Sequence, residues 1–416
     1  MQLLPTPGAA RILTLAALVN TIGRGVWLTA TALFLTRSVG LSVAQVGIGL
    51  TSTAAIGLLA STPMGYLADR YGPRGIQLAA LVASAGCSVA LIGVRSFPEF
   101  LLVGAGTAVA DAAARSSRGA LIAGAVPPDQ RVRTRAYLRA TTNVGISVGT
   151  VLAGFAIAAD SRTGYVTLIL TDAATYLAAA AITTRLVPLP PTPAPAHGPR
   201  LIGLRDRPFL VFTALDGLMS MHFGLLNIAL PLWVAGHTSA PRWLISALFL
   251  VNTTAVVLFQ VRASRGTDGV AGAARASRRA GVAIAAACLL FAASGAVPTA
   301  AAVALLVAGA LVHVIGELWH SAAGWGISFG LAPAHAQGQY QGVYGMGLQL
   351  GGMVAPVVVT TLAVGWGVPG WLVLGALFVV LGALVPPVVR WAARTRTMDP
   401  VTDSVTQQVP DPAAAT

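Results

Sequence analysis

Seven charged side chains stand inside stretches that are otherwise apolar: Arg24, Asp111, Arg115, Arg118, Asp172, Asp216 and Glu317. A charge at the middle of a membrane helix costs about 2.5–3.5 kcal/mol on insertion scales, so its default reading is functional. Glu317 lies in His313-Val314-Ile315-Gly316-Glu317-Leu318-Trp319-His320, and helical spacing puts His313, Glu317 and His320 on one face. A buried carboxyl beside imidazoles can bind and release a proton. Asp111, Arg115 and Arg118 follow i, i+4, i+7 and share a face too, so that the acid and its arginine neighbours lower each other's cost. Asp216 falls eight residues past Pro208, which at helical rise is roughly 12 Å into its span. The candidate proton carriers are therefore Glu317, Asp111 and Asp216, with Arg115 tuning Asp111. Asp172, with Thr171 and Thr175 beside it, reads as a structural hydrogen-bonding residue.

Three other chemistries compete for the same residues. Glu317-x-x-His320 has the spacing of a helix-borne di-metal ligand pair, but such a site needs a second copy and more carboxylates. No second copy is visible, so neither a metal nor a cofactor is expected. An enzyme would need a convergent nucleophile or acid/base set at the membrane face. The His313/Glu317/His320 face lacks one, and no enzymatic activity is expected. The plainer alternative is a hydrogen-bond cluster that holds helices together.

The elements that position these residues must be membrane helices. The chain is 56% hydrophobic and 9% charged, with mean hydropathy +0.77, whereas a soluble domain carries roughly 25% charged residues. A net charge of +13 in a soluble protein would suggest nucleic acid. Here the charge sits in loops between apolar runs, so topology explains it and no nucleic-acid partner is expected. Every basic residue is arginine. Cys87 and Cys288 both fall inside apolar runs and imply no disulfide framework. The first apolar run, after Arg11, is longer than the roughly 7–15 residues of a secretory signal and reads as a membrane helix.

Apolar runs of about 20 residues bounded by polar or Pro/Gly clusters fall at 11–36, 43–66, 76–95, 97–123, 136–159, 164–186, 208–235, 242–262, 280–297, 299–326, 339–364 and 367–390. The expected architecture is all-α, with twelve spans and both termini on one side. Arginine placement supports the count. One set of loops holds Arg70, Arg74, Arg131, Arg133, Arg135, Arg200, Arg205, Arg207, Arg265, Arg275, Arg278 and Arg279, and the tail adds Arg394 and Arg396. The opposite loops hold Arg37, Arg95 and Arg162, with Arg242 at a span edge. The positive-inside rule makes the first set cytoplasmic.

A Pro-rich stretch, Pro188 to Pro199, divides the spans six and six. The expected organisation is a first bundle over 1–187, a cytoplasmic linker over 188–206, a second bundle over 207–396 and a polar, irregular tail over 397–416. A weak repeat joins the halves: Asp111…Pro127 matches Glu317…Pro333 at an offset of 206, which also carries Gly145 onto Gly351. Gly145-x-x-x-Gly149 in span five and Gly347-x-x-x-Gly351 in span eleven permit close helix contact.

Between spans two and three the chain reads Gly65-Tyr66-Leu67-Ala68-Asp69-Arg70-Tyr71-Gly72-Pro73-Arg74-Gly75. It resembles the signature loop of the major facilitator superfamily, G-x-L-A-D-R-x-G-x-R, with Gly65, Leu67, Ala68, Asp69, Arg70, Gly72 and Arg74 on the pattern. The resemblance extends over roughly residues 10–395. Arg115-Ser116-Ser117-Arg118-Gly119 is similar to the family's fourth-span pattern R-x-x-Q-G, with Arg118 in place of Gln. Arg135-Ala136-Tyr137-Leu138-Arg139, Asn143-Val144-Gly145 and Gly316-Glu317-Leu318-Trp319 resemble actinobacterial drug-export members.

The resemblance implies two pseudo-symmetric six-helix bundles that rock about a central site. It implies a conformational gate at Gly65, Asp69, Arg70, Gly72 and Arg74, and a role for Arg115 in proton coupling. Polar and aromatic residues of spans one, four, seven and ten are then the substrate candidates: Asn20, Arg24, Trp27, His222, Asn227, Trp233, Trp319 and His320. The implied protein is a monomer in the bacterial plasma membrane, exporting a small amphiphilic drug, antibiotic or secondary metabolite in exchange for protons. The antiporters' Gly-Pro pair in span five is missing, which leaves a proton-coupled importer open, and a non-transporting receptor or scaffold is the other rival.

Overall fold

The computed structural model describes residues 4–158, 161–191 and 200–396. The described residues form twelve long helical runs and no strand. They are α1 (Ala9–Ser38), α2 (Val43–Tyr71), α3 (Pro73–Leu91), α4 (Phe97–Ala125), α5 (Arg131–Ala158), α6 (Arg162–Thr183), α7 (Arg207–His237), α8 (Trp243–Ala263), α9 (Val270–Ala296), α10 (Thr299–Leu331), α11 (Ala334–Gly365) and α12 (Val368–Arg396). Eleven are long and apolar enough to cross a membrane; the other, α5, has 28 residues and opens on Arg131, Arg133, Arg135 and Arg139. The tail 397–416 and the Pro-rich stretch 192–199 lie outside the described residues.

Local chemistry sets the helix ends. Ser42 and Gln45 form a reciprocal capping box at the start of α2. Gly72 stops α2 at φ +91°, a conformation that L side chains rarely adopt, and Pro73 opens α3 at once. Asp206 caps α7 through the Phe209 amide, accepts the Tyr340 hydroxyl at 2.7 Å and pairs with Arg396. One carboxylate thereby ties the starts of α7 and α11 to the end of α12.

Within the first half, α1 packs on α5 and α6, α2 on α4, and α3 on α4 and α6. Within the second, α7 packs on α11 and α12, and α9 on α10 and α12. The α1–α5 crossing is nearly backbone on backbone: a Cβ on Gly149 would collide with the Ile22 carbonyl. The α7–α11 crossing repeats it, because a Cβ on Gly351 would collide with the Gly217 carbonyl. Small residues thus hold equivalent helix pairs in both halves.

The halves meet through α2 on α11, α4 on α11 and α5 on α8. Their polar contacts gather toward the end that carries the arginine loops. The Asp69 carboxylate accepts the amides of Gly338 at 2.7 Å and Gln339 at 2.9 Å. An acid from α2 therefore sits on the positive N-terminal end of α11. Gly65 and Gly338 touch through their backbones, and Thr62 reaches Met346 Sδ at 3.0 Å. Arg135 of α5 donates to Gln341 of α11 at 2.8 Å. The two arginines flanking the turn from α2 to α3 stay within the first half: Arg74 donates to the Thr184 carbonyl at 2.5 Å, and Arg70 to the Tyr66 hydroxyl at 2.9 Å.

This seam predicts that Gly65→Leu pries α2 from α11. In a background without Cys87 and Cys288, Thr62→Cys and Met346→Cys should cross-link readily under mild oxidation. Adding Gly65→Leu should abolish the cross-link; an undiminished yield would show that the close approach is not what holds the seam.

Candidate functional site

The first polar cluster is built on a break in α7. Pro231 lacks an amide to bond to Asn227 and its ring crowds that carbonyl. The helix responds with a wide turn over Leu225–Ala229, preceded by an irregular step at Ser220 and Met221. The break places His222, fully buried, between two histidines of α10. His222 Nδ1 lies 3.2 Å from His313 Nε2, and His222 Nε2 lies 3.0 Å from His320 Nδ1. His313 Nε2 is also 3.1 Å from the His222 carbonyl oxygen.

Acids close both ends of this imidazole row. His320 Nε2 is 3.2 Å from Asp216 Oδ1, and His313 Nδ1 is 3.8 Å from Glu317 Oε2. Glu317 then leaves its own bundle: it pairs with Arg139 of α5 and accepts the Asn252 amide at 2.8 Å. Arg139 also donates to Ser321 and lies with Cζ 5.2 Å from the Phe223 ring centroid. The order is Asp216–His320–His222–His313–Glu317–Arg139, five titratable groups and one fixed cation.

The arrangement is a line. His222 spends its two ring nitrogens on two different imidazoles, so the three histidines do not converge on a point. Among the described residues no group of three or more His, Cys, Asp or Glu side chains could hold a metal ion. Neutral imidazoles each carry one donor and one acceptor nitrogen. A row of them can hand a proton along by exchanging those roles.

The second cluster lines a cavity of about 260 Å³ in the first half. Arg24 of α1, Asp111 and Arg115 of α4, and Asp172 and Tyr176 of α6 form its polar wall. Trp27, Leu50, Leu91 and Phe100 form its apolar wall, and Gln349 of α11 reaches in from the second half. Arg115 and Arg24 approach Asp111 Oδ2 at only 3.7 and 3.9 Å. Asp172 Oδ2 accepts the Ser88 hydroxyl at 2.8 Å.

The residues expected from sequence thus divide. Glu317, Asp216, His222 and His320 join in one row; Asp111, Arg115, Arg24 and Trp27 share the cavity. Asn20 is half-buried with its carbonyl oxygen unpartnered, outside the cavity wall. Asn227 is exposed and donates to the Phe223 carbonyl in its own helix. Trp319 is half-buried and lines neither cluster. Trp233 is a core residue: it packs edge-on against Trp371, and its indole N–H donates to the Phe291 carbonyl at 2.9 Å.

Arg139, Asn252 and Gln349 did not stand out in the sequence. Arg139 enters there only as the last residue of the stretch Arg135 to Arg139 that resembles drug-export members, with no role attached. Its depth inside the apolar run 136–159 was the available signal, since a topogenic arginine needs only the rim.

A family model described as Major Facilitator Superfamily matches residues 13–268. No curated protein sequence matches the chain. Among solved structures, the human organic anion transporter TETRAN is similar at 16% identity and TM-score 0.66, covering 91% of this chain and 98% of that one. A bacterial homologue of the iron transporter ferroportin in an outward-facing state gives 13% identity and TM-score 0.68, with 93% and 99% covered. The proton:xylose symporter XylE gives 12% identity and TM-score 0.67, with 92% and 95% covered.

In the Arg139–Glu317 pair the acid is buried and the arginine half-buried, with side-chain exposures of 5% and 19%. Removing one partner of such a pair leaves an uncompensated charge, and Glu317→Leu should destabilise the protein by about 3–5 kcal/mol. Thermal unfolding in detergent should show most of that loss recovered in Arg139→Met/Glu317→Leu. Additive losses would mean that the two charges do not act as a pair.

Proposed function

The chain belongs to the Major Facilitator Superfamily, and from that premise we propose that it is a proton-coupled secondary transporter that exports small amphiphilic compounds by alternating access. The observation that carries the reading is the buried row from Asp216 to Glu317, which ends on an arginine of the other bundle. A proton bound at Glu317 cancels the charge that holds Arg139. The α5–α10 contact then weakens and the arginine-rich end can part. Loss of the proton restores the pair and closes that end.

The arginine-rich end is assigned to the cytoplasm on the positive-inside rule. The structure is then closed toward the cytoplasm by Asp69 on α11, Arg135 on Gln341 and Arg139 on Glu317. The cavity, lined by residues near the opposite helix ends such as Leu50 and Phe100, faces outward. Asp111 and Arg115 stand in the cavity wall, where a bound ligand and a proton on Asp111 act on the same arginines. The mirror position of Asp111 in the second half is Glu317, so the two halves place one acid each at equivalent depth, one in the cavity and one in the seam.

Import by proton symport is the second reading. It is left open by the glycines of α5, Gly145, Gly149 and Gly154, which lack the neighbouring proline of the antiporters.

Everted membrane vesicles energised acid inside test both readings. A panel of amphiphiles and antibiotics is added and the lumenal pH followed. Export by antiport predicts a substrate-dependent loss of the gradient. His222→Asn and Glu317→Gln should each abolish uphill transport while leaving downhill exchange, because His222 joins the two acids without being either. Uphill transport retained in both Glu317→Gln and Asp111→Asn would remove the proton-coupling proposal.

A further inference from the structure

The cavity of the first half holds two arginines whose guanidinium donors are largely unused. Arg24 and Arg115 each carry five guanidinium N–H groups. Neither donates a hydrogen bond to any described residue, and their approaches to Asp111, 3.9 and 3.7 Å, exceed a charge-assisted hydrogen bond of roughly 2.7–2.9 Å. Both lean on the same Asp111 oxygen. Arg118 stands one turn further along α4, half-buried, and adds a third positive charge without an acid in hydrogen-bonding reach among the described residues.

The acids offset this unevenly. Asp111 is 24% exposed at its side chain, against 46% for Arg24 and 35% for Arg115. Asp172 is buried, with one oxygen taken by Ser88. A ligand therefore meets two open guanidinium forks beside the shared Asp111 carboxylate, with the buried Asp172, whose other oxygen has no partner, in the same lining. In the same lining, Trp27 and Phe100 offer apolar surface. Gln349 of α11 presents a carboxamide from the second half, its Oε1 buried and unpartnered. The volume, about 260 Å³, sits just under the roughly 300–1,000 Å³ of most small-molecule sites, which selects a metabolite-sized ligand over a bulky one.

We propose that this cavity binds a small organic anion, a carboxylate on an apolar body, through Arg24 and Arg115. The carboxylate takes the donors that Asp111 cannot reach, and the apolar body lies against Trp27 and Phe100. The Gln349 carboxamide, coming from the other bundle, lets an occupied cavity be sensed across the seam. The proposal names the substrate class of the transporter reading. Its test is a binding test on purified protein with no gradient, so it can fail while the transporter reading stands, and the reverse.

Cys87 lines the same cavity, whereas Cys288 is fully buried in the second half. The native thiol therefore reports the local field. Purified full-length protein in detergent is treated with anionic sulfonatoethyl methanethiosulfonate or cationic trimethylammonioethyl methanethiosulfonate. Each forms a mixed disulfide at the thiolate and releases methanesulfinate. Rates at Cys87 are read by mass spectrometry and normalised to each reagent's rate on a free thiol. A cleft lined by positive charge should favour the anion by about tenfold or more. The preference should collapse in Arg24→Gln/Arg115→Gln, survive in Arg24→Lys/Arg115→Lys and rise in Asp111→Asn. Reaction at Cys288 marks misfolded protein and disqualifies a variant, and the lysine pair then carries the comparison. Benzoate should protect Cys87 where benzamide and inorganic phosphate do not. A normalised preference at or below unity, a preference indifferent to the arginines, or a Cys87 reached by neither reagent overturns the anion site. Protection by phosphate equal to that by benzoate makes it an inorganic-anion site and overturns the organic half of the proposal. Protection by neither, or by benzamide equally, overturns the carboxylate assignment.

Discussion

Burying a carboxylate in a membrane bundle is tolerable only if something answers its charge. Glu317 of α10 is answered by Arg139, which belongs to the other bundle. The rest of the arrangement follows from that choice. The two bundles touch where α5 meets α8 and α10, and the ion pair joins them at that depth. Had the cation come from α7 or α11, the charge would be satisfied inside one bundle, and its protonation would say nothing to the other.

The seam around this pair is graded. Toward the loops, the Asp69 carboxylate holds the first amides of α11, a contact between an acid and a helix end. Deeper, Arg135 meets the neutral Gln341. Deepest, Arg139 meets Glu317, which connects through His313 and His222 to His320 and Asp216. Only this deepest contact is wired to a row of groups that can change charge. In the proposed cycle the outer contacts hold the closed state and the inner one releases it.

Much of this was legible in the residue order, for reasons that can be named. Twelve spans follow from apolar run length and from arginines collected on alternate loops. Even the short breaks between spans nine and ten and between spans eleven and twelve match the helix ends: Pro298 immediately precedes α10, and Gly367, at φ +67°, immediately precedes α12. Glu317, His313 and His320 were visible as a face because one helix carries them. His222 was visible only as a polar residue of span seven. Its insertion between the other two histidines depends on the break that Pro231 imposes on α7, and on the rotation of that segment against α10. Helical spacing cannot report a rotation between helices. Trp233 shows the converse: an aromatic in a cavity-lining span, it turns instead onto Trp371 and fills the core. The internal repeat pairs Asp111 with Glu317 but could not say that one would face a cavity and the other a seam.

The central claim is that protonation along the histidine row opens the arginine-rich end by releasing Arg139. The most direct test is the distance between spin labels on the loop ends of α2 and α10, measured by double electron–electron resonance across pH. The account predicts a short, narrow distribution at high pH that gives way to a longer one as pH falls. Glu317→Gln should show the longer distance at every pH, and His222→Asn should remove or displace the transition. A distance that ignores pH in the native protein, or a Glu317→Gln variant that stays closed, would contradict it.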